Sequence, residues 1–134
     1  MPQNTRSTQQ RRLIMELMEG NYSHPTADEV YELARAKEPR ISRGTVYRNL
    51  NLLSDENKIR RLSMPIGPDH FDCNTDNHYH FLCHACFHVF DTNIKYKESL
   101  NADPAGMPGF KTEWHRLILV GLCPECAAKE KKGT

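Results

Sequence analysis

The sequence predicts an α+β fold in which helices come first and short strands follow. Up to about residue 57, apolar residues recur with the 3.6-residue spacing of helices. Beyond that point they alternate or form short runs typical of strands. Two Cys-x-x-Cys pairs bracket the second half of the chain. The pattern changes near residues 65–77, so we predict two domains, covering residues 1–71 and 72–134.

Three helices are predicted in the first domain, each with its own capping residue. Thr8 caps the first, which ends at Gly20. Thr26 caps the second, and Glu29 three residues later completes a capping box. Ser42 opens the third, which runs to about residue 57. Three tightly connected helices match the core of a helix-turn-helix.

Strands are expected after the third helix. Lys58–Met64 and Asp69–Cys73, separated by Pro and Gly residues, read as a two-stranded wing. A short helix is expected near residues 95–100 and a helical tail after Cys126. The remaining strands are expected at Tyr79–Leu82, Val89–Thr92 and Phe110–Leu122.

The charge is divided unevenly along the 134 residues, although the formal net charge is only +1. Residues 1–62 hold 11 Lys and Arg against 8 Asp and Glu, a balance of +3, and residues 63–134 hold 7 against 9, a balance of −2. The first part is therefore the one suited to phosphate. No apolar run could span a bilayer and the N-terminus lacks a signal-peptide pattern, so we expect a cytoplasmic protein with no membrane partner.

The four paired cysteines, Cys83, Cys86, Cys123 and Cys126, predict a structural zinc site. Two intervening residues let a tight turn aim both sulfurs at one centre, and two such turns close a tetrahedral cage with no open position. Unligated core thiols or an iron–sulfur cluster are the alternatives. The fifth cysteine, Cys73, reads as a small core residue, with a redox or ligand role as its alternative.

A second metal site is predicted around His78 and His80, which would share one face of a strand. Two imidazoles with carboxylates suit Fe(II) or Mn(II), and Asp72 and Asp91 lie at strand ends on either side. His24 stands just before a helix on the other domain. If it joins the site, metal binding ties the two domains together. A histidine there is usually an ordinary polar surface residue, so the residues alone leave His24 open. His115 reads as a core histidine and His84 as an exposed one.

The third helix carries the candidate DNA contacts. Arg43, Gly44, Tyr47 and Arg48 fall on its polar side. Arginine can donate two hydrogen bonds to guanine, and a tyrosine ring can pack on a thymine methyl in the major groove. The alternative is an amphipathic helix with a solvated face.

The motifs together resemble those of the ferric uptake regulator family over nearly the whole chain. The segments that carry the resemblance are His24-Pro25-Thr26-Ala27-Asp28, Gly44-Thr45-Val46-Tyr47-Arg48-Asn49-Leu50, His78-Tyr79-His80 and the two Cys-x-x-Cys pairs. The resemblance implies a bacterial metal-sensing repressor with an N-terminal winged helix-turn-helix and a small C-terminal α/β dimerisation domain. It implies a homodimer on a double-stranded DNA operator with two-fold symmetry, and no enzyme, so we assign no catalytic residue.

Within that family the chain is similar to the peroxide-sensing branch. The resemblance implies a regulatory site at His24, Asp72, His78, His80 and Asp91, where the iron-sensing branch usually has glutamates in place of the two aspartates. It further implies that peroxide acting on bound Fe(II) oxidises His24 or His78, which lifts repression, whereas Mn(II) supports DNA binding without that reaction.

Two departures from the family pattern bear on function. Members commonly carry an additional N-terminal helix with a basic residue near DNA, and Arg6, Arg11 and Arg12 are expected to substitute for it. Another family metal site uses His and acidic residues where Asn77 and Tyr79 stand, so we expect that site to be absent.

Three rival functions remain open from the sequence. One is an iron-status repressor of the same fold. Another is a non-haem iron enzyme that uses His78, His80 and Asp91 as a triad. The third is a binding module with a purely structural metal. We prefer the peroxide-sensing repressor, in which Tyr47 and Arg48 read bases. Salt-dependent affinity is expected from Arg6, Arg11, Arg12, Arg60 and Arg61.

Overall fold

The computed structural model describes residues 5–132, and the first four residues, to which the signal-peptide prediction applies, lie outside them. The chain forms two compact units that meet between Asp76 and Asn77. This division follows Asp76, whereas the domain boundary predicted from the sequence follows Phe71. The reason is that Asp72 pairs with Arg60 in the last strand of the first unit.

The first unit begins with helix α1, Arg6–Met18. The prediction that Thr8 caps this helix is wrong, because the cap is Thr5. The backbone N–H of Thr8 donates to Thr5 Oγ1 at 3.0 Å, which places Thr8 inside the first turn. Gly20 follows the helix with φ 69°, a left-handed conformation that suits glycine.

Helices α2, Ala27–Lys37, and α3, Arg43–Asp55, begin where the sequence predicts. Thr26 and Glu29 form a complete capping box, with bonds of 2.9 and 3.1 Å. Ser42 caps α3 by accepting the Thr45 N–H at 3.1 Å. The three helices enclose an apolar core that includes Ile14, Met18, Val30, Ala34, Val46, Leu50 and Leu53.

The wing consists of strands β1, Arg60–Leu62, and β2, His70–Asp72, paired antiparallel. Strand β2 is also tied to the segment before α2, because the Phe71 N–H donates to the Pro25 carbonyl at 2.8 Å. The same strand forms a bridge between His70 and Thr26. These bonds fix the segment that carries His24 against the end of the wing.

The second unit is built on a three-stranded sheet in the order β4-β3-β5. Strand β3, His80–Cys83, lies between β4, Val89–Asp91, and β5, Ile118–Gly121. It pairs antiparallel with β4 and parallel with β5. Strand β3 therefore begins at one candidate metal ligand and ends at another.

Three expectations for the second unit need correction. The long strand predicted at Phe110–Leu122 is only the four residues of β5, because β3 offers no further residues to pair with. The short helix is a 3₁₀ turn at Glu98–Asn101. The tail helix α4, Pro124–Lys132, starts before Cys126 rather than after it, so this cysteine lies on the first turn of the helix.

No helix in the described part of the chain is both long and apolar enough to cross a bilayer.

Candidate metal centres and DNA-binding surface

The sulfurs of Cys83, Cys86, Cys123 and Cys126 lie within 4.8 Å of one another. Strand β3 supplies the first and the turn after it the second, while Cys123 lies just before α4 and Cys126 on its first turn. The Sγ atoms of Cys86 and Cys123 are 3.9 Å apart. Zinc–sulfur bonds of about 2.3 Å in a tetrahedron place sulfurs about 3.8 Å apart. The cluster therefore has the spacing of a four-thiolate zinc site, and it leaves no position for a substrate.

The acidity of these thiols shows why the cluster needs a cation. Burial opposes ionisation of Cys83, but hydrogen bonds from backbone N–H groups outweigh it and lower its pKa to about 5. The hydrogen bond with Cys123, followed by burial and the other sulfurs, raises the pKa of Cys126 to about 12. The Cys83 thiolate forms readily, and its negative charge then opposes ionisation of the neighbouring thiols. Four thiolates can coexist here only around a positive charge.

Histidines border the cluster without belonging to it. His84 lies in the turn between the first two cysteines and is exposed, as the sequence predicts. His88 places Nδ1 3.4 Å from Cys86 Sγ, within reach of a hydrogen bond. His88 is not one of the four candidate ligands, but its contact orients the Cys86 side chain, as hydrogen-bond partners of metal ligands commonly do.

A second group of possible ligands lies at the opposite end of β3. His80 is the cross-strand neighbour of Asp91, and both His78 and His80 face the same carboxylate. Asp91 Oδ1 is 3.0 Å from His78 Nε2 and 3.5 Å from His80 Nε2. Ligands at about 2.1 Å from one ion and at right angles to each other would be about 3.0 Å apart. The three side chains thus match two imidazoles and a carboxylate around one hard or borderline metal ion such as Fe(II) or Mn(II).

His24 and Asp72 form a buried pair within the first unit. His24 Nε2 is 3.2 Å from Asp72 Oδ2, and the side chains are 3% and 0% exposed. His24 has φ 55°, a conformation that non-glycine residues rarely adopt, and it precedes proline, which normally favours extended backbone. The alternative interpretation of His24 as an ordinary polar surface residue is therefore excluded. His24 is held in a strained position with its imidazole against a carboxylate, as expected of a ligand.

Cys73 and His115 are placed close to the sequence expectations. Cys73 is half-buried, and burial, with the neighbouring Asp72 charge, raises the pKa of its thiol. A raised pKa lowers the fraction of reactive thiolate. His115 is half-buried just before β5 rather than within it. Its Nε2 accepts from the Tyr79 hydroxyl at 2.6 Å, and its Nδ1–H donates to Asn101 at 2.6 Å.

The residues proposed for DNA recognition share the exposed face of α3. Arg43, Tyr47 and Arg48 are exposed, while Val46 and Leu50 pack into the core. Arg61 on the wing donates to Asn51 on the same helix at 2.8 Å. The face is thus presented by a well-packed helix and supported by the wing.

An acidic residue that sequence reasoning missed lies on this face. Asp28 Oδ1, on the first turn of α2, accepts hydrogen bonds from both Arg43 Nη1 and the Tyr47 hydroxyl, each at 2.6 Å. The bond from Tyr47 to this carboxylate is the main reason the pKa of Tyr47 is raised. The sequence shows Asp28 as a favourable acidic residue at a helix start, but gives no sign of its contact with α3.

The other basic residues proposed to contact DNA differ in whether they already pair with another group of the protein. Arg11 pairs through two nitrogens with Glu56, the residue after α3, and the pair raises the pKa of Arg11 and lowers that of Glu56. Arg60 donates to the Thr75 carbonyl at 2.9 Å. Arg6 and Arg12 are exposed.

One face of the second unit's sheet leaves large apolar side chains in solvent. Phe90, Leu119 and Ile94 are 38–40% exposed. Together with Phe81 and Leu122 they line a groove of about 580 Å³. Contiguous exposed apolar surface of this kind marks an interaction surface.

Comparison with known proteins gives consistent matches. Residues 2–120 match the model of the ferric uptake regulator family. The chain is 34% identical to the peroxide operon regulator of Bacillus subtilis over 93% of its own length and 86% of that protein. It is 35% identical to the peroxide-responsive repressor PerR of Staphylococcus epidermidis, over 90% and 81%. The Helicobacter pylori ferric uptake regulator Fur shares the fold, with TM-score 0.76 at 22% identity over 93% of this chain and 82% of that one.

Proposed function

Because the chain belongs to the ferric uptake regulator family, we propose that it is a metal-dependent transcriptional repressor that releases its DNA operator in response to hydrogen peroxide. The relatives named as peroxide regulators support this function over most of the chain. On this proposal the protein acts as a regulator and not as an enzyme.

The observation that carries the proposal is that the candidate histidine and aspartate ligands come from both units. His24 and Asp72 belong to the first unit, and His78, His80 and Asp91 belong to the second. We propose that these five residues bind a single Fe(II) or Mn(II) ion, so that metal binding holds both units in the DNA-binding arrangement. A ligand shifts such an equilibrium only as far as it binds one arrangement better than the other.

Peroxide sensing requires the metal ligands themselves to be the target. Fe(II) held by these residues would supply the redox chemistry that cleaves the O–O bond of hydrogen peroxide beside them, whereas Mn(II) would not. We propose that a ring carbon of His24 or His78 exchanges its C–H bond for a C–O bond, so that the ring gives up two electrons overall to peroxide, one peroxide oxygen stays on the ring, and the other leaves as water. The modified imidazole no longer binds metal, the two units lose their shared ion, and DNA is released.

DNA binding is proposed to occur through α3. Tyr47 and Arg48 enter the major groove, Arg43 faces the DNA beside them, and Arg11 and Arg12 contact phosphates. Arg11 is paired with Glu56 in the free protein, so its phosphate contact must replace that pair.

A symmetric operator requires two copies of the chain, whose α3 helices are about one helical turn of DNA apart. We propose that the apolar face around Phe90, Leu119 and Ile94 is where the second copy binds, because a two-fold contact can bury the same patch on both subunits. We further propose a cytoplasmic location, where cysteines remain reduced and able to bind zinc.

The decisive experiment compares the Fe(II)-loaded and Mn(II)-loaded proteins. Each is prepared without oxygen and bound to an operator duplex selected in vitro, and fluorescence anisotropy is followed on addition of hydrogen peroxide. The proposal predicts release of DNA in the iron form alone, with one added oxygen on the peptide that contains His24 or His78.

Cys73→Ser is the matched control, because it removes the only cysteine outside the zinc cluster. Unchanged peroxide sensitivity in this variant is expected. Metal-dependent DNA binding that survives peroxide in both forms would instead assign the chain to iron-status sensing. DNA release without a histidine adduct, abolished by Cys73→Ser, would assign the response to thiol chemistry.

A further inference from the structure

One exposed carboxylate oxygen engages two of the side chains that face DNA on the proposed function. Asp28 Oδ1 accepts from Arg43 and from Tyr47, both at 2.6 Å. The guanidinium of Arg43 also lies over the ring of Tyr31, 4.5 Å from its centroid. Arg43 is thus held at the surface of α2 by an acid and an aromatic ring.

Helix capping does not account for this arrangement. The start of α2 is already capped by Thr26 and Glu29, and the side chain of Asp28 turns to α3 instead. Stability does not account for it either. The side chains of Arg43 and Asp28 are 59% and 64% exposed, and ion pairs so open to water contribute little to folding. The remaining consequence of the contact is electrostatic and concerns what approaches this surface.

A carboxylate on a DNA-binding face acts against phosphate. It repels the DNA backbone, and it neutralises an arginine that would otherwise release a counterion from any duplex, whatever its sequence. At the same time it fixes the hydroxyl end of Tyr47, so that the ring is presented in one orientation. The first effect weakens binding to all DNA, and the second favours DNA whose bases fit the oriented ring.

We propose that Asp28 is a specificity-determining residue that keeps Arg43 from contributing to sequence-independent DNA binding and positions Tyr47 for base recognition. The inference rests on the proposed function, because it requires that α3 meet DNA. The hydrogen bond that raises the pKa of Tyr47 agrees with a firmly held hydroxyl.

The test uses the full-length Mn(II)-loaded protein and two duplexes, an operator selected in vitro and a scrambled duplex of the same composition. Asp28→Asn removes the charge and keeps an acceptor oxygen for Tyr47. Affinity for the scrambled duplex should rise about tenfold, and the slope of log affinity against log salt should steepen by about one, the value for one added phosphate contact. The ratio of operator to scrambled affinity should fall.

Two further variants separate this role from a general charge effect. Asp69→Asn removes another exposed carboxylate. Asp69 and Asp28 both line a cavity of about 270 Å³ beside Tyr47. Asp69→Asn should change the scrambled affinity much less than Asp28→Asn. In an Arg43→Ala background, Asp28→Asn should no longer steepen the salt slope.

The outcomes distinguish this inference from the proposed function. Equal effects of the two Asp→Asn changes, or an effect of Asp28→Asn that persists without Arg43, would overturn the role of Asp28 and leave DNA binding by α3 intact. If Tyr47→Ala and Arg48→Ala both leave binding to either duplex unchanged, α3 does not meet DNA, and both proposals fail together.

Discussion

Replacing Cys126 by serine should unfold the sheet of the second unit while the first unit keeps its structure. Tyr79, Leu82 and Val89 are the large apolar side chains buried there among the described residues, and each contributes about 1.5–3 kcal/mol. Their sum is about 5–9 kcal/mol, whereas structural zinc contributes about 10–16 kcal/mol near neutral pH. Loss of the metal therefore removes the larger stabilising contribution. A domain that is stable by only about 5–15 kcal/mol does not survive that loss.

Hydrogen exchange with mass spectrometry measures this outcome in each unit separately, alongside the zinc content. In the Cys126→Ser variant, amides of β3 and β4 should exchange without protection, and those of α3 should keep their slow exchange. Cys73→Ser is the control, since it removes a thiol outside the cluster and should change neither quantity. Slow exchange of β3 in a zinc-free Cys126→Ser protein would refute the structural role of the metal.

Three further outcomes concern the first unit. Thr26→Ala removes one bond of the capping box and should lower the free energy of unfolding by about 1 kcal/mol in urea titration, with Glu29→Ala costing a similar or smaller amount. Leu50→Ala should cost about 2–5 kcal/mol, because the side chain is fully buried; a loss below 1 kcal/mol would mean that the core closes over the gap. The pair with Arg11 lowers the pKa of Glu56 below its ordinary 4.5, so its stabilisation is present above that pH and is lost as pH falls through the lower folded value. Unfolding curves of the wild type and Glu56→Gln should therefore differ at neutral pH and converge in acid.

Local signals explain most of the fold that the sequence predicts. The capping box at Thr26 and the serine before α3 act within one turn of helix, so a short window of residues contains the whole cause. The first cap is wrong by three residues because Thr5 and Thr8 are equally good capping residues, and the helical apolar pattern begins after both. The α+β fold and the winged helix-turn-helix follow from such patterns.

The extent of β5 could not be predicted in the same way. Residues 110–122 have strand-forming composition, but a strand needs a partner, and β3 pairs only with Ile118–Gly121. The pairing depends on the length of a strand elsewhere in the chain. Composition does not contain that information.

The candidate sites show the same division. Cys-x-x-Cys spacing is itself a geometric constraint, so it predicts the grouping of sulfurs at the end of β3. Asp28 carries no comparable signal, because its partners Arg43 and Tyr47 lie on another helix and meet it only after α2 and α3 pack together. The strained backbone conformation of His24 could not be predicted from the sequence either, although the motif around it marks the residue as a candidate ligand.

Strand β3 has a mechanical consequence for the two metal centres. His80 at its start and Cys83 at its end are joined by a rigid segment about 10 Å long, at roughly 3.3 Å per residue. Loss of the metal from the cysteine cluster is therefore expected to displace the imidazole at the other end. An oxidant strong enough to oxidise the thiolates would therefore also inactivate the regulatory metal site. Within the proposed function, a repressor inactivated in this way no longer binds its operators, and its target genes are transcribed.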